Sequence, residues 1–573
     1  MKKLINDVAH VVPDMLAGLA ALHPTLSLLQ GKNIVLRADA RAAAERGEVA
    51  LISGGGAGHE PAHGGYVGAG MLSAAVAGEV FTSPSTDAVL DAIRAVAGKA
   101  GVLLIVKNYT GDRLNFGLAA EIARAEGIPV EMVVVADDVA LAANGDHAGR
   151  RGLAGTVLVH KIAGAAAACS ATLQQVAQVA RDAAAALGTM GVALTPCIVP
   201  AAGKPGFTLG EGEIEWGLGI HGEAGVERGR LVTADDVAAR LLDQIIGDLQ
   251  LQADEHVLLL VNNLGGTPAS ELDIVAGAAL AHLARRRIKV ERAWAGTFLS
   301  ALEMAGISLT LLRVDGQRLA LLDAVTEAPA WPATNGHVAD AAHVTVATNA
   351  AAPSATSATE GTRMAPDATL RHVIDAVCAC LEQAESVLTD MDQKVGDGDL
   401  GISMARAAQG IREDIAEWPS EQDPAAVLRA MSATVRRVVG GTSGPLYAIL
   451  LMRAAATLET QQRIDAAAWA AAFAEAVKGV MELGGAKAGD RTMIDALGPA
   501  SAALQAALAS GARLGAALEA TAAAAAEGAQ ATASMTPRRG RSSYIGQRAL
   551  GHADPGAHAV ALWLASIRDA LNA

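Results

Sequence analysis

Residues 388–404 read LTDMDQKVGDGDLGISM and place three aspartates within eight residues, with Asp390 as an extra acid beside them. Asp392, Asp397 and Asp399 place carboxylates so close that they repel one another unless a cation lies between them. Mg²⁺ prefers such oxygen ligands and commonly shares them with substrate phosphates. The intervening glycines let the backbone turn tightly and approach a ligand closely. The pattern predicts a loop that holds Mg²⁺ and a nucleotide, and an acidic turn in a solvated loop is the alternative.

Two further clusters follow β-rich runs in the first part of the chain. SGGGAGHEP has consecutive glycines whose amides are free to cradle an oxygen-rich ligand, with His59 presented on the rim. VKNYTGD places Lys107 and Asp112 five residues apart, which suits an electrostatic clamp and a general base. A glycine-rich turn and a strand-terminal salt bridge are the structural alternatives.

A third cluster, EIEWGLGIHGE, contains His221 between glycines, in a segment with few other packing residues. A core histidine would normally have apolar neighbours on both sides. The access predicted for His221 suits a nucleophile or a ligand contact. A loop histidine without a role remains the alternative for this segment alone.

The elements that must position these residues change in kind along the chain. Up to about residue 330, runs such as IVLRAD, VALISGG, VEMVVVADD and HVLLLVNNLGG read as buried strands, and DAVLDAIRAVAG and FGLAAEIARAEG read as helices. This alternation predicts an α/β fold with largely parallel pairing. In such sheets ligands bind at the carboxyl ends of the strands.

Residues 331–367 are rich in Ala, Thr, Ser and Pro and predict a flexible linker. From residue 368 to 573 the β-rich runs disappear, and apolar residues recur at steps of three and four. The sequence therefore predicts an all-helical second domain. Its loops carry further glycine-rich motifs, GGTSGPLY, GGAKAGDRTMID, PRRGRSSYIG and DPGA. A glycine run that enters a helix is a plausible phosphate site, and a plain connecting turn is the alternative for each loop.

Composition narrows the class of protein. The chain has 573 residues, of which 51% are hydrophobic, so more than one domain with a large core is expected. A formal net charge of -15 argues against nucleic acid as the main partner. The four cysteines do not form a disulfide framework, and neither a secretory signal nor a membrane-spanning apolar run is evident. We expect a cytoplasmic protein.

The motifs of the first part, SGGGAGHEP, VKNYTGD and GLGIHGE, together resemble the substrate half of the dihydroxyacetone kinase family. The resemblance covers residues 1–330 and implies two α/β subdomains. It also implies that a ring nitrogen of His221 adds to the substrate ketone and forms a hemiaminal. Asp112 would accept the proton of the hydroxyl being phosphorylated, with assistance from His59. The implied substrate-binding residues are Gly56, His59, Lys107, Asp112 and His221.

The motifs of residues 368–573 resemble the nucleotide-binding half of the same family, a barrel-like helical domain. The resemblance implies that Asp392, Asp397 and Asp399 hold two Mg²⁺ ions that bridge the phosphates of ATP. The implied nucleotide contacts are Gly401, Ser403, Thr442, Ser443, Gly484, Met493, Arg541, Asp554, Pro555 and Gly556.

Both halves lie on one chain. In this family, such a fused form resembles the enzymes that use free ATP. The expected reaction is phosphorylation of dihydroxyacetone, and the family suggests a homodimer. Three alternatives remain open. The substrate is another short-chain ketose or aldose, such as erythrulose or glyceraldehyde; the nucleotide half also cleaves FAD to cyclic FMN; or the chain is a carbonyl-binding regulatory protein without transfer activity.

Overall fold

The computed structural model describes residues 2–141, 149–222, 225–339, 369–418, 423–544 and 546–572. The chain forms two compact units, Met1–Val346 and Ala347–Ala573. Most of the predicted linker, residues 331–367, lies outside the described residues, so the domain boundaries stay predictions. Among the described residues, no helix combines the length and the apolar character that crossing a membrane requires.

The first unit contains a six-stranded sheet in the order β1-β2-β4-β3-β5-β6. The predicted strands are present, and pairing is parallel from β4 through β3 and β5 to β6. The strand β2 pairs antiparallel with both β4 and the edge strand β1. The strands of this sheet are β1 (Leu26–Leu28), β2 (Ile34–Arg37), β3 (Ala50–Ala57), β4 (Ala74–Val80), β5 (Val102–Lys107) and β6 (Val130–Val135).

A second six-stranded sheet has the order β11-β10-β12-β7-β8-β9. Only β10 and β11 pair in parallel there, so the expectation of largely parallel pairing is wrong for this sheet. The periodicity of a strand carries no information about its direction, and β7, β8, β9, β11 and β12 were not identified from the sequence. The strands are β7 (Leu187–Ala193), β8 (Glu213–Trp216), β9 (Glu227–Arg230), β10 (His256–Asn263), β11 (Lys289–Gly296) and β12 (Gly306–Arg313).

Helix α5 joins the two sheets of this unit. Nearly all of its residues are buried, and one hydrophobic cluster contains residues of α5 together with strand residues of both sheets. A helix that is apolar around its whole circumference is stable only when it is enclosed in this way. The helices of the unit are α1 (Val11–Leu22), α2 (Ala40–Glu45), α3 (Thr86–Val96), α4 (Thr110–Ala125), α5 (Thr156–Ala168), α6 (Leu173–Ala185), α7 (Ala234–Leu249), α8 (Ala269–Arg285) and α9 (Gly316–Asp323).

The described part of the second unit is helical, as predicted. Successive helices pack side by side from α12 to α18, and α10 contacts both α12 and α18, so the ring closes into a barrel. Small alanine side chains dominate its interior cluster and allow the helices to approach closely. The helices are α10 (Thr369–Gln383), α11 (Glu385–Val395), α12 (Leu400–Asp414), α13 (Pro424–Val438), α14 (Ser443–Glu459), α15 (Ala466–Gly484), α16 (Ile494–Ala509), α17 (Leu514–Ala531) and α18 (Pro555–Asn572).

Residues 388–404 are not the continuous loop that the acidic and glycine pattern predicts. Helix α11 runs through Asp392 to Val395, four residues turn the chain, and α12 begins at Leu400. The predicted turn is therefore restricted to residues 396–399, where Gly398 has a φ of 79°. The aspartates therefore lie at a junction of two helices, with Asp392 in α11 and Asp397 and Asp399 in the turn.

Candidate functional site

The glycines of SGGGAGHEP are strand residues of β3, and not the loop that the sequence suggested. A Cβ atom on Gly54 would lie 2.3 Å from the carbonyl oxygen of Val76, and one on Gly56 would lie 2.5 Å from the amide nitrogen of Thr82. Glycine is therefore required for β3 to approach β4 and the segment that follows it. At this point β3 therefore forms a wall of backbone atoms without side chains.

Lys107 and Asp112 meet at this wall. Lys107 is the last residue of β5 and Asp112 belongs to the first turn of α4, and both are buried. A Cβ atom on Gly55, whose φ is 154°, would lie 3.2 Å from Lys107 Nζ and 3.5 Å from Asp112 Oδ2. Because Gly55 has no side chain, a space remains that is bordered by the amine of Lys107 and the carboxylate of Asp112. Such a space suits a small hydroxylated ligand.

His59 is fully buried, whereas the sequence placed it on the rim of the site. Its Nδ1 atom lies 2.8 Å from the carbonyl oxygen of Ser300, and because a carbonyl only accepts, Nδ1 carries the proton. Burial, with the positive charge of Lys107 and the nearby His221, lowers the pKa of His59 well below its usual value. His59 is therefore a neutral imidazole whose Nε2 atom is available as a base.

Three rings surround His221. Its ring centroid lies 4.7 Å from that of His59, 5.2 Å from that of Phe81 and 4.6 Å from that of Tyr109, each in an edge-to-face arrangement. Phe81 also stacks on His59 at 5.0 Å. His221 is partly exposed, as the sequence suggested, but aromatic rings pack against it. Such contacts restrict the orientation of the imidazole plane.

A buried ion pair holds the chain before His221. Arg151 donates from Nε to Asp138 at 2.6 Å and from Nη2 to the carbonyl oxygen of Gly217 at 2.7 Å. Burial raises the pKa of Asp138 to about 6, against the lowering effect of Arg151. After His221, the carboxylate of Glu215 accepts a hydrogen bond from the amide of Gly225 at 2.9 Å. Both flanks of the histidine segment are therefore fixed by charged side chains.

A second pair of histidines was missed from the sequence. His63 Nδ1 lies 3.0 Å from His160 Nε2 and 3.4 Å from Ser53 Oγ. Burial and the charge of Lys107 lower the pKa of His63 well below its usual value and that of His160 to about 3. The pair is neutral and lies near the charged part of the site. His63 lies two residues after the glycine-rich motif, whereas His160 lies in the middle of the largely apolar helix α5, where no local pattern marks it.

The second unit brings the three predicted aspartates together. One carboxylate oxygen from each of Asp392, Asp397 and Asp399 lies within 4.8 Å of the others. Asp392 is buried, and its Oδ2 accepts hydrogen bonds from the amides of Asp399 at 3.0 Å and Leu400 at 3.3 Å. Burial and the neighbouring Asp397 and Asp399 raise the pKa of Asp392 against those bonds. The donor set therefore fits a hard divalent cation, which would relieve the repulsion.

Alternate helices of the barrel begin at the end that holds the aspartates. Helices joined by short connections run antiparallel, so α12, α14 and α16 have their N-termini at one end. The connection before α18 is longer, and the interaction between the charges of Asp554 and Asp392 places the start of α18 near the same end. Helix N-termini carry free amides and a partial positive charge and bind phosphate groups. The predicted motifs begin or precede these four helices, which explains why they lie far apart in sequence.

The predicted nucleotide contacts are placed unequally. Gly401 is buried in the first turn of α12, where a Cβ atom would lie 2.0 Å from the carbonyl oxygen of Glu385. Helix packing alone thus requires this glycine. The side chain of Arg541 lies outside the described residues. Ser403 is in α12, Thr442 and Ser443 begin α14, Gly484 ends α15, Met493 precedes α16, and Asp554, Pro555 and Gly556 begin α18.

Contacts connect these helix ends. Gly484 approaches Leu446 of α14, and Gly556 approaches Met493, since added Cβ atoms would lie 3.3 and 3.8 Å from those side chains. Asp554 accepts a hydrogen bond from the amide of Ala557 at 2.9 Å and caps α18. Burial raises the pKa of Asp554 to about 6, and the charge of Asp392 contributes to the rise. The start of α18 therefore lies near the aspartate cluster.

Comparisons with known proteins agree with the division into two units. Residues 17–330 match the Dak1 domain, and residues 394–569 match the DAK2 domain. The chain is 46% identical over 583 residues to a triokinase/FMN cyclase of Homo sapiens, across 100% of this chain and 99% of that protein. It is 44% identical to a putative 3,4-dihydroxy-2-butanone kinase of Solanum lycopersicum, across 98% and 97% of the two chains.

A solved structure also matches over nearly the whole length. The dihydroxyacetone kinase from C. freundii in complex with AMP-PNP and Mg²⁺ is 35% identical, with a TM-score of 0.61. The match covers 99% of each chain. The arrangement of an α/β unit followed by a helical unit is therefore shared with that enzyme.

We predict that replacing His160 changes how stability depends on pH. The pKa of His160 is about 3 in the folded chain and about 6.5 in an unfolded one. Between these values the unfolded state binds the additional proton, so the free energy of unfolding falls as pH falls. His160→Gln should reduce this slope by about 1.4 kcal/mol per pH unit.

The measurement is deuterium uptake of α5 peptides across a urea gradient, between about pH 6 and about pH 4.5. In this range protonation of the imidazole dominates the difference in slope between the parent chain and the variant. The same comparison at about pH 8 is the control, because the imidazole is neutral in both states there. An unchanged slope would show that His160 is protonated or accessible in the folded chain.

Proposed function

This chain belongs to the dihydroxyacetone kinase family in its fused form, and we propose that it phosphorylates dihydroxyacetone to dihydroxyacetone phosphate. It is a kinase whose cofactors are ATP and Mg²⁺. The proposed division assigns the substrate to residues 1–330 and the nucleotide to residues 368–573. The observation that carries the substrate proposal is the contact between the rings of His221 and His59, at 4.7 Å.

His221 is the proposed nucleophile for the ketone. A lone pair of the imidazole forms a bond to the carbonyl carbon, and the carbonyl oxygen becomes a hydroxyl with the proton that the imidazole gives up. The result is a hemiaminal, and a polyol such as glycerol cannot form one because it has no carbonyl. The rings of Phe81 and Tyr109 support this role, since they restrict the plane of the attacking imidazole.

Asp112 is the proposed base for the substrate hydroxyl, with His59 assisting. A positioned base typically contributes about 10²- to 10⁴-fold to the rate. The neutral state of His59 supports its part, because only a neutral imidazole accepts a proton. Lys107 and the backbone at Gly56 would hold the remaining substrate oxygens. The bare backbone wall of β3 favours a ligand of few atoms.

Asp392, Asp397 and Asp399 are the proposed ligands of Mg²⁺, since their carboxylates converge. The bound ions would neutralise charge on the phosphates and orient the γ-phosphoryl group. The amides at the N-termini of α12 and α14 would contact the phosphates. We propose a homodimer for the assembly, as the family resemblance suggests.

His221→Ala should weaken capture of the ketone. We expect kcat/KM for dihydroxyacetone to fall about a hundredfold, the equivalent of about 2.7 kcal/mol, mainly through KM. Affinity for AMP-PNP with Mg²⁺ should not change. Steady-state ADP release and calorimetry measure the two quantities.

His10→Ala, at an exposed histidine near α1, is the control for this variant. An unchanged KM for dihydroxyacetone in His221→Ala would remove the covalent role. Glycerol should support no turnover in the parent enzyme. Turnover with glycerol would show that selection does not depend on a carbonyl.

Asp397→Asn should weaken the binding of AMP-PNP in the presence of Mg²⁺, because an amide is a poorer ligand for a hard cation than a carboxylate. We expect the Mg²⁺ concentration for half-maximal activity to rise about tenfold or more, the effect of about 1.4 kcal/mol. Asp390→Asn is the matched control, since Asp390 is an exposed acid on α11, seven residues before Asp397. Normal turnover of Asp397→Asn at limiting Mg²⁺ would contradict the metal assignment.

A second activity has its own support. The human relative is called a triokinase/FMN cyclase, and it matches this chain from end to end. We propose FAD cleavage to cyclic FMN as the second candidate for the nucleotide unit. Incubation with FAD and Mn²⁺, followed by chromatography of the flavins, should yield cyclic FMN, and Asp397→Asn should abolish it. Intact FAD after incubation with the active kinase would exclude this activity.

The preferred sugar is a separate question. The relative from Solanum lycopersicum is called a kinase for a four-carbon ketone, so erythrulose and glyceraldehyde belong beside dihydroxyacetone in the substrate panel. A higher kcat/KM for erythrulose would replace dihydroxyacetone in the proposal and leave the mechanism at His221 unchanged.

A further inference from the structure

Arg491 is the largest fully buried side chain among the described residues. It lies in the segment that joins α15 to α16, two residues before Met493. Its φ is 62°, in the left-handed region that residues other than glycine rarely adopt. Residues held in such conformations concentrate at functional sites, where the surrounding structure maintains them.

The guanidinium of Arg491 binds the segment before α18. Its Nη2 atom donates to the carbonyl oxygen of His552 at 2.8 Å and to that of Ala549 at 3.3 Å. Its Nη1 atom lies 3.9 Å from Oδ2 of Asp554. One side chain therefore fixes two backbone carbonyls and faces the acid that caps α18.

The cost of burying Arg491 indicates a role beyond stability. Among the described residues, its Nε and Nη1 atoms have no hydrogen-bond partner. Buried donors without partners destabilise a fold, and a buried ion pair is frequently no more stable than apolar side chains of the same size. Burial lowers the pKa of Arg491, with Asp554 opposing that effect. A side chain retained at such cost is best explained by the geometry that it imposes.

That geometry concerns the nucleotide site. The backbone amide of Asp554 donates a hydrogen bond to Thr532 Oγ1 at 2.7 Å. Its carboxylate is close enough to Asp392 for their charges to interact. Gly556 lies against Met493, in the same segment as Arg491. Arg491 thus connects two of the motifs proposed to contact the nucleotide, one before α16 and the other before α18.

We propose that Arg491 is a positioning residue for nucleotide binding, which holds Asp554 and the start of α18 in place through the carbonyls of Ala549 and His552. The inference rests on the nucleotide site proposed above. Arg491 itself is enclosed and acts through these groups.

The test compares Arg491→Lys and Arg491→Met with the parent chain. Lysine keeps the charge but lacks the planar fork that reaches both carbonyls and Asp554, and methionine keeps an apolar stem without charge. We expect Kd for AMP-PNP with Mg²⁺ to rise about 10- to 100-fold in Arg491→Met and less in Arg491→Lys. KM for the ketone should not change, because the ketone site belongs to the other unit.

A double-mutant cycle with Asp554→Asn separates positioning from general destabilisation. If Arg491 acts through Asp554, Arg491→Met should raise Kd much less in the Asp554→Asn background than in the parent chain. Arg453→Met is the matched control, since Arg453 is an exposed arginine of the same unit with an ion pair to Glu482. It should leave Kd unchanged.

The outcomes distinguish this inference from the proposed function. A parent chain that does not bind AMP-PNP with Mg²⁺ would overturn the proposed nucleotide site. A parent that binds it while Arg491→Lys and Arg491→Met bind equally well would overturn only the positioning role. Additive effects of Arg491→Met and Asp554→Asn would also overturn it, and Arg491→Lys supplies the measurement if Arg491→Met does not fold.

Discussion

The close approach of backbone to backbone along β3 is the constraint on which the proposed substrate site depends. Gly54 and Gly56 leave no room for a Cβ atom beside Val76 and Thr82. This contact brings the end of β4 and the ring of Phe81 over the strand, where the ring stacks on His59. A side chain at Gly54 or Gly56 would separate β3 from β4 and remove the wall of backbone atoms at which the polar groups converge.

Desolvation then sets the charge of the site. His59, His63 and His160 lie in an interior that contains the positive charge of Lys107, and burial with this charge keeps all three imidazoles neutral. Neutral imidazoles serve as base or nucleophile, whereas imidazolium ions do not. The second unit uses the opposite principle, because clustered carboxylates there create a demand for a cation. The two units therefore control the charge of their candidate sites in opposite ways.

The sequence was sufficient for groups whose chemistry is local. The α/β and helical classes, the aspartate cluster and the polar residues at strand ends follow from periodicity and spacing, and the structure places Lys107 and Asp112 together. The sequence was insufficient where the contact partner of a residue comes from a distant segment of the chain. Ser300, which fixes the tautomer of His59, and His160 lie far from the glycine-rich motif in sequence. The antiparallel second sheet was missed for the same reason, since pairing partners are not local.

The helical unit brings motifs that are separate in sequence to one end of a barrel. Short connections from α12 to α17 make neighbouring helices run antiparallel, so the N-termini of α12, α14 and α16 lie at the same end of the barrel. Each contributes free amides and part of a positive dipole, and the aspartates add a cluster of negative charge that fits a cation. Negative and positive groups therefore coexist at one end because phosphates and their metal ions require both. A buried cation such as Arg491 is compatible with this arrangement only where it faces an acid, and Asp554 provides that acid.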